Sequence, residues 1–305
     1  MKITISNYIQ IADAPSFFVQ EIKKSLTMQN PEYIEKIKRG YWTGNTPETL
    51  KFYHNTCEGL EIPRGYARKL LFLAREHGID YQLIDRRRTL LEVSFEFKGM
   101  LKPFQDQAVR DVLSRDQGVL EAPTGSGKTV MALKNIAERK QPALVITHTR
   151  ELMNQWQDRI EAFLNIPQAE IGVIGNGEMC IGKRITVAII NSLYKVADQV
   201  APRIGHLIVD ECHRTPSRTF TEAVSMFDCK YLLGLSATPF RRDGLTRVIY
   251  MYLGDRAHQV SRKMLQQNGD ILKANVAWRE TTFLTPQRIT KAFYRNLRET
   301  RAETP

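Results

Sequence analysis

The 305-residue chain has no apolar run approaching the ~20 residues of a membrane helix. Its first stretch, interrupted by Asn7, Gln10 and Asp13, lacks the apolar centre of a secretory signal. These absences predict a soluble, cytoplasmic protein with no membrane partner. Cysteine is scarce: Cys57, Cys180, Cys212 and Cys229 are widely spaced with no Cys-x-x-Cys pair, which argues against a zinc site or a disulfide framework and for a reducing compartment. Internal repeats and low-complexity segments are also missing. The length exceeds one ordinary domain and the apolar and charged fractions are those of a globular protein, so two domains are expected.

The residues most specific to one chemistry are Ala122-Pro123-Thr124-Gly125-Ser126-Gly127-Lys128-Thr129. They fit the phosphate-binding loop pattern with Ala in place of the first Gly, between the apolar run Gly118-Val119-Leu120 and a helical segment, Thr129 to Glu138. A triphosphate is held by backbone N–H groups that converge without side chains in the way, and Gly125 and Gly127 allow that approach. Lys128 would reach the β- and γ-phosphates, and the Thr129 hydroxyl would bind Mg²⁺. Some eighty residues later, His206-Leu-Ile-Val-Asp-Glu-Cys-His213 delivers two carboxylates at the end of an apolar strand. Asp210 suits Mg²⁺, Glu211 suits the base that activates water, and His213 can hydrogen-bond toward a neighbouring motif.

Near-continuous apolar runs at Ala143–Thr147, Ile171–Ile174, Ile185–Ile190, Leu207–Asp210 and Leu232–Ser236 alternate with helical stretches. The pattern predicts an α/β fold with a parallel sheet covered by helices on both faces. Met153, Trp156, Ile160 and Phe163 recur at helical spacing, which makes Trp156 a core residue rather than a nucleic-acid contact.

Asp210-Glu211-Cys212-His213, followed by Ser236-Ala237-Thr238-Pro239, resembles motifs II and III of superfamily 2 helicases and translocases, DEAD/DEAH-type motors with a DECH box here. Leu101-Lys-Pro-Phe-Gln-Asp-Gln107 resembles their adenine-reading segment, which implies Gln105 on the base edge. Val145-Ile-Thr-His-Thr-Arg-Glu-Leu152 resembles motif Ia, with His148 where many members have Pro, and Ile190-Asn-Ser-Leu193 resembles the motif ending the next strand. The resemblance therefore implies a RecA-like ATP-binding domain over residues 99–280, with Thr149, Arg150, Asn191 and Ser192 on nucleic acid and Ser236 and Thr238 in coupling. Gly234-Leu-Ser-Ala-Thr-Pro-Phe-Arg-Arg-Asp-Gly244 is similar to the branch of XPB-like, restriction-translocase and UvsW-type proteins. Asn30-Pro31, Gly40-Tyr-Trp-Thr-Gly44 and Ile62-Pro-Arg-Gly65 resemble the small domain that precedes the UvsW-type motor. ATP and Mg²⁺ are the implied cofactors and double-stranded or branched DNA the implied partner.

Residues 1–98 read as a separate small α+β module. Lys2–Ile9 alternates like a strand, Phe17–Leu26 has helical spacing, Thr49–His54 and Leu60–Ile62 suit short strands, Gly65–His77 suits a helix, and Leu91–Phe97 alternates like a half-exposed strand. Tyr41 and Trp42, beside Lys36, Lys38 and Arg39, fit either base stacking or a hydrophobic anchor with a basic rim. Arg86-Arg87-Arg88 fits either a phosphate contact or an interdomain turn. The net charge of +11 points to a polyanion, and residues 241–305 hold 13 basic against 6 acidic side chains, in a phosphate-facing groove or a solvated tail.

No Gly-Arg pattern follows Pro239, and Gln287-Arg288 and Arg295-Asn296 lie in a polar stretch. Val276–Thr281 resembles the end of a first motor domain, which leaves 281–305 as a basic linker toward a second RecA-like domain carrying the catalytic arginines. Three readings stay open: the front half of a DNA helicase or translocase, a nucleotide- and nucleic-acid-binding half with no catalysis by itself, and the motor of a restriction system.

Overall fold

The computed structural model describes residues 1–214, 218–237 and 245–271. Residues 1–271 form one compact unit. Thr238 and the basic stretch from 272 onward, with the expected linker at 281–305, lie outside the described residues. Among the described residues no helix is long and apolar enough to cross a membrane.

The N-terminal module begins with a hairpin, β1 (Lys2–Ile5) and β2 (Tyr8–Ala12), where the alternation suggested one strand running to Ile9. The chain reverses at Ser6-Asn7, where the Ser6 N–H donates to the Tyr8 carbonyl at 2.8 Å. Helix α1 (Ser16–Ser25), β3 (Thr27–Gln29), α2 (Pro31–Lys38), β4 (Thr49–Lys51), β5 (His54–Thr56), β6 (Gly59–Pro63), α3 (Ala67–Glu76) and β7 (Gln82–Asp85) complete it. The main sheet has the order β5-β6-β2-β1-β7, with β3 and β4 paired separately. Ile3, Ile9, Ile11, Leu60 and Ile62 of the sheet bury against Phe18, Ile22 and Leu70 of the helices.

The larger part is built from α4 (Pro103–Leu113), β8 (Gln117–Glu121), α5 (Lys128–Arg139), β9 (Ala143–Thr147), α6 (Arg150–Leu164), β10 (Gly172–Gly175), β11 (Glu178–Cys180) and β12 (Ile185–Ile189). Then come α7 (Ile190–Leu193), α8 (Ala197–Val200), β13 (His206–Val209), α9 (Arg218–Ser225), β14 (Tyr231–Ser236), α10 (Thr246–Leu253), β15 (Arg256–Gln259) and α11 (Arg262–Gln267). The sheet order is β11-β10-β12-β9-β13-β14-β8-β15, parallel except for the β10–β11 hairpin. Alternate residues of one strand feed opposite cores, because successive side chains point to opposite faces. Val145, Val187, Ile208 and Leu233 pack with α4, α5 and α6. Leu144, Ile146, Ala188 and Leu207 pack with α7 to α10 on the other face. The result is the RecA-like α/β architecture, with its loops after β8, β9, β12, β13 and β14 gathered on one edge.

The module is fastened to the opposite edge of this sheet. Arg64, buried, donates from its guanidinium to the carbonyls of Phe227 (3.2 Å), Cys229 (2.7 Å) and Lys230 (3.2 Å), and from Nε to Gln117 Oε1 (3.0 Å). Gly65 lies against α10 so closely that a Cβ there would sit 2.5 Å from the Met251 carbonyl and the Gly254 nitrogen. Met251 in turn buries in the module's core, a burial that stabilises the junction by about 1.5–3 kcal/mol. Arg87 pairs with Asp85 and Asp116, and Arg88 with Asp228 and the carbonyls of Ala201 and Pro202. For these two arginines the interdomain turn is therefore the structural role.

Leu91–Phe97 forms no strand. The segment is an extended strap over the helix layer, tied by the Val93 N–H to the Lys140 carbonyl (2.9 Å) and the Lys98 N–H to the Phe163 carbonyl (2.8 Å). Its alternation serves Phe95 and Phe97, which pack on the core beneath, with Phe97 stacked on Phe163. The boundary expected at residue 98 falls inside this strap.

Candidate nucleotide and nucleic-acid site

The phosphate-loop residues sit between the C-terminal end of β8 and the first turn of α5. The loop opens with the Ala122 N–H bonded to the Ser236 carbonyl at 2.9 Å, so the end of β14 sets where it begins. Gly125 and Gly127 both have φ near +83°, a left-handed backbone that side chains other than Gly adopt at a cost of about 1–2 kcal/mol. At Gly127 the fit is closer still, since a Cβ would lie 2.5 Å from the Gln105 amide nitrogen.

Gln105 is buried and bridges two backbones, accepting from the Lys102 N–H (2.9 Å) and donating to the Ser126 carbonyl (2.9 Å). Its side chain thereby holds the loop from the α4 side. The primary amide keeps one donor and one lone pair for a base edge. Ser126 Oγ is buried with no hydrogen-bond partner among the described residues, and Pro123, Thr124 and Gly125 line the outer part of the loop.

Lys128 folds back so that Nζ donates to the Ala122 carbonyl at 3.0 Å. Burial pushes its ammonium below the usual lysine range, opposed by the charges of Glu211 and Asp210. A desolvated cation held at the start of a glycine-rich loop, with an orphaned hydroxyl at Ser126 in the same loop, fits a phosphate chain. Thr129 follows on the same first turn of α5.

Asp210 and Glu211 leave the end of β13. Asp210 is buried, with Oδ1 accepting from the Glu211 N–H (2.9 Å) and Oδ2 from the Trp156 indole N–H (2.8 Å). Glu211 has φ +46°, a left-handed conformation unusual for a residue with a Cβ. Its Oε2 lies 3.2 Å from His213 Nδ1, which lies 3.2 Å from Ser236 Oγ. Motif II thus reaches the end of β14 through one imidazole. Cys212 is buried in the opposite core, and burial pushes its thiol far up.

The expected nucleic-acid residues share the same edge. Thr149 and Arg150 follow β9, and Asn191 and Ser192 follow β12, its parallel neighbour, with Thr147 and Ile189 in register. Thr149 is the N-cap of α6, its hydroxyl accepting from the Leu152 N–H at 3.3 Å, while Arg150 and Asn191 are exposed and Ser192 is half-buried. The strand order β12-β9-β13-β14-β8 therefore sets these four residues beside Asp210, then Ser236, then the phosphate loop.

Two groups were not legible in the sequence. Trp156 has the helical spacing of a core residue and is one, yet its N–H is spent on Asp210. Glu121, immediately before the loop, buries a carboxylate that accepts from the Tyr250 hydroxyl and meets Arg256 Nη1 at 3.3 Å. A lone Glu at a strand end gives no such signal.

Residues 98–241 match the family described as the type III restriction enzyme, res subunit. The DNA 3'-5' translocase XPB2 of Sulfurisphaera tokodaii is 33% identical over 190 residues, covering 62% of this chain and 42% of that protein. The chain thus spans less than half of this relative's length. A crystal structure of the UvsW helicase from bacteriophage T4 superposes with a TM-score of 0.61 at 18% identity, covering 84% of this chain and 99% of that one. A second T4 UvsW structure gives the same score over 56% of its length. The fold of the small module and the larger α/β part together is therefore shared with UvsW. Residues 98–241 are thus similar to the res-subunit family, within a RecA-like α/β sheet that follows a small α+β module.

Proposed function

We propose that this chain is the nucleotide-binding half of an ATP-dependent DNA helicase or translocase. The observation that carries the reading is the single sheet edge on which the phosphate loop, Asp210-Glu211 and Ser236 stand beside Thr149, Arg150, Asn191 and Ser192. Backbone N–H groups of residues 124–129 and the Lys128 ammonium hold the phosphates, and Gln105 contributes its remaining amide positions to the base. Thr129 and Asp210 would hold Mg²⁺, which supplies charge neutralisation on the phosphate oxygens. Glu211 orients the attacking water and takes its proton. His213 and Ser236, with Thr238 beyond the described residues, link that event to neighbouring strands.

The name of the XPB2 relative supports DNA as the polyanion, and contact through Arg150 and its neighbours suits duplex or branched backbone without base reading. A second RecA-like domain, from the same protein or another chain, supplies the arginine that such transfer requires. The free thiols Cys57 and Cys180, both exposed, suit a reducing cytoplasm.

Calorimetry with ADP and Mg²⁺ tests the nucleotide reading. Lys128→Ala should weaken binding and Glu211→Gln should leave it intact, and equal affinity in wild type and Lys128→Ala would reject the assignment. For the polyanion, duplex affinity should fall with a log–log salt slope of about −0.9 per phosphate contact, shallower by about one contact in Arg150→Ala. Salt-independent binding would remove that edge from the interface.

A further inference from the structure

We propose that Trp156 is a positioning residue for Asp210, so that helix α6 joins the polyanion end of the sheet edge to the metal end. The inference rests on the ATP·Mg²⁺ reading above and names a residue which that reading leaves in the core. The indole Nε1 donates to Asp210 Oδ2 at 2.8 Å, with both side chains buried. The other carboxylate oxygen, Oδ1, accepts from the Glu211 N–H at 2.9 Å. With one donor on each oxygen, turning the carboxylate about its own axis would break both hydrogen bonds. Each oxygen keeps lone-pair capacity for a cation or its bound water.

Packing alone does not require an indole here. Met153, Ile160 and Leu164 fill the rest of this face of α6 with apolar side chains. A buried N–H without a partner costs roughly 1–3 kcal/mol, so the position is favourable for Trp only because Asp210 meets it. Groups that orient a ligating carboxylate in this way are typically worth 10–100-fold in metal affinity.

The helix that carries the indole begins at the expected polyanion contact. Arg150 is its first residue and Thr149 its cap. Six residues separate Arg150 from Trp156, a rise of about 9 Å along one continuous helix. A shift of the α6 N-terminus against a bound backbone therefore moves the donor that holds Asp210. In the same way, fixing Asp210 on a cation fixes the helix end that presents Arg150.

Trp156→Phe keeps an aromatic ring and removes the N–H. ADP affinity, measured by calorimetry with Mg²⁺ and again with EDTA, separates the contributions. The gain in affinity that Mg²⁺ brings should fall on the order of tenfold, while affinity in EDTA stays at the wild-type value. In an Asp210→Asn background Trp156→Phe should cause no further loss of that gain. A Trp156→Phe protein that keeps the full Mg²⁺-dependent gain overturns the proposal. If wild type binds no ADP in either buffer, the nucleotide reading itself fails and the proposal with it. A measurement on the unmutated residue covers the case in which Trp156→Phe does not fold. The ¹⁵N-indole resonance of Trp156 should move when Mg²⁺ is added to the ADP-bound protein and stay fixed in Asp210→Asn, and an indole that ignores Mg²⁺ in the wild type also overturns it.

Discussion

His213 Nδ1 stands 3.2 Å from Ser236 Oγ, joining the ends of the adjacent strands β13 and β14. The Ser236 carbonyl also receives the first N–H of the phosphate loop. One short chain of contacts thus runs from Glu211 through His213 and Ser236 to Ala122. Replacing His213 by Ala removes a hydrogen bond to a charged group, worth roughly 1.5–3 kcal/mol. ADP binding should survive, while DNA-stimulated turnover of the motor completed by its second domain falls tenfold or more. Parental stimulation in that ATPase assay would dismiss His213 as a relay.

Gly125 and Gly127 share a backbone conformation but differ in what surrounds them. Among the described residues a Cβ at Gly125 would meet only Ile271, at 3.7 Å, whereas at Gly127 it would meet the Gln105 amide at 2.5 Å. Each Gly→Ala change should cost about 1–2 kcal/mol from the left-handed backbone. Gly127→Ala should cost more, because Gln105 must also release the Ser126 carbonyl. Thermal melting and ADP titration on both variants provide the comparison. Equal losses at the two sites would mean that Gln105 does not hold the loop.

Arg64→Met should separate the module from the motor domain. The substitution leaves the carbonyls of Phe227, Cys229 and Lys230 without their charged donor, and a loss on the order of 3 kcal/mol follows from unpaired buried acceptors. Calorimetric melting should change from one transition in the parent to a lower or divided one. An unchanged melt would mean that Gly65 and Met251 hold the junction without help.

His206 should make the protein acid-sensitive. Its ring is fully buried beside Tyr231, Nδ1 has no partner among the described residues, and burial pushes its pKa down to about 3. An unfolded histidine takes up its proton near 6.5. Between these values the unfolded state holds the extra proton, so stability is full above about 6.5 and falls as the pH drops toward 3. The slope is about 1.4 kcal/mol per pH unit. His206→Phe should flatten urea-unfolding free energies across that range. A variant with the parent's slope would assign the acid sensitivity elsewhere.

The central strands were legible because a parallel strand buried on both faces must be apolar throughout. Ala143–Thr147 is found at the expected limits, and the others shift by a residue or so. The loop pattern at 122–129 and the Asp210-Glu211 pair could be singled out because the chemistry proposed for them restricts residue type at fixed spacing, and the structure sets both on one sheet edge. Edge strand β15, Arg-Ala-His-Gln, carries no apolar run and pairs in parallel with β8. The strap alternates like a strand in part because the core beneath it receives Phe95 and Phe97, while Leu91 of the same alternation stays exposed. Arg64 and Trp156 were opaque for a common reason. What matters in each is where a polar atom ends, and that depends on residues far away in sequence.

The contacts of Arg64, Arg87, Arg88 and Asn7 all fall on or beside the ends of the sheet at which β8, β13 and β14 begin. The proposed nucleotide chemistry lies at the ends where those strands finish, about 17 Å away for five extended residues. The module therefore grips the starting ends of the sheet, opposite the proposed nucleotide edge. Strand β8 thus carries the grip at Gln117 and the start of the phosphate-loop segment at Ala122, one at each of its ends.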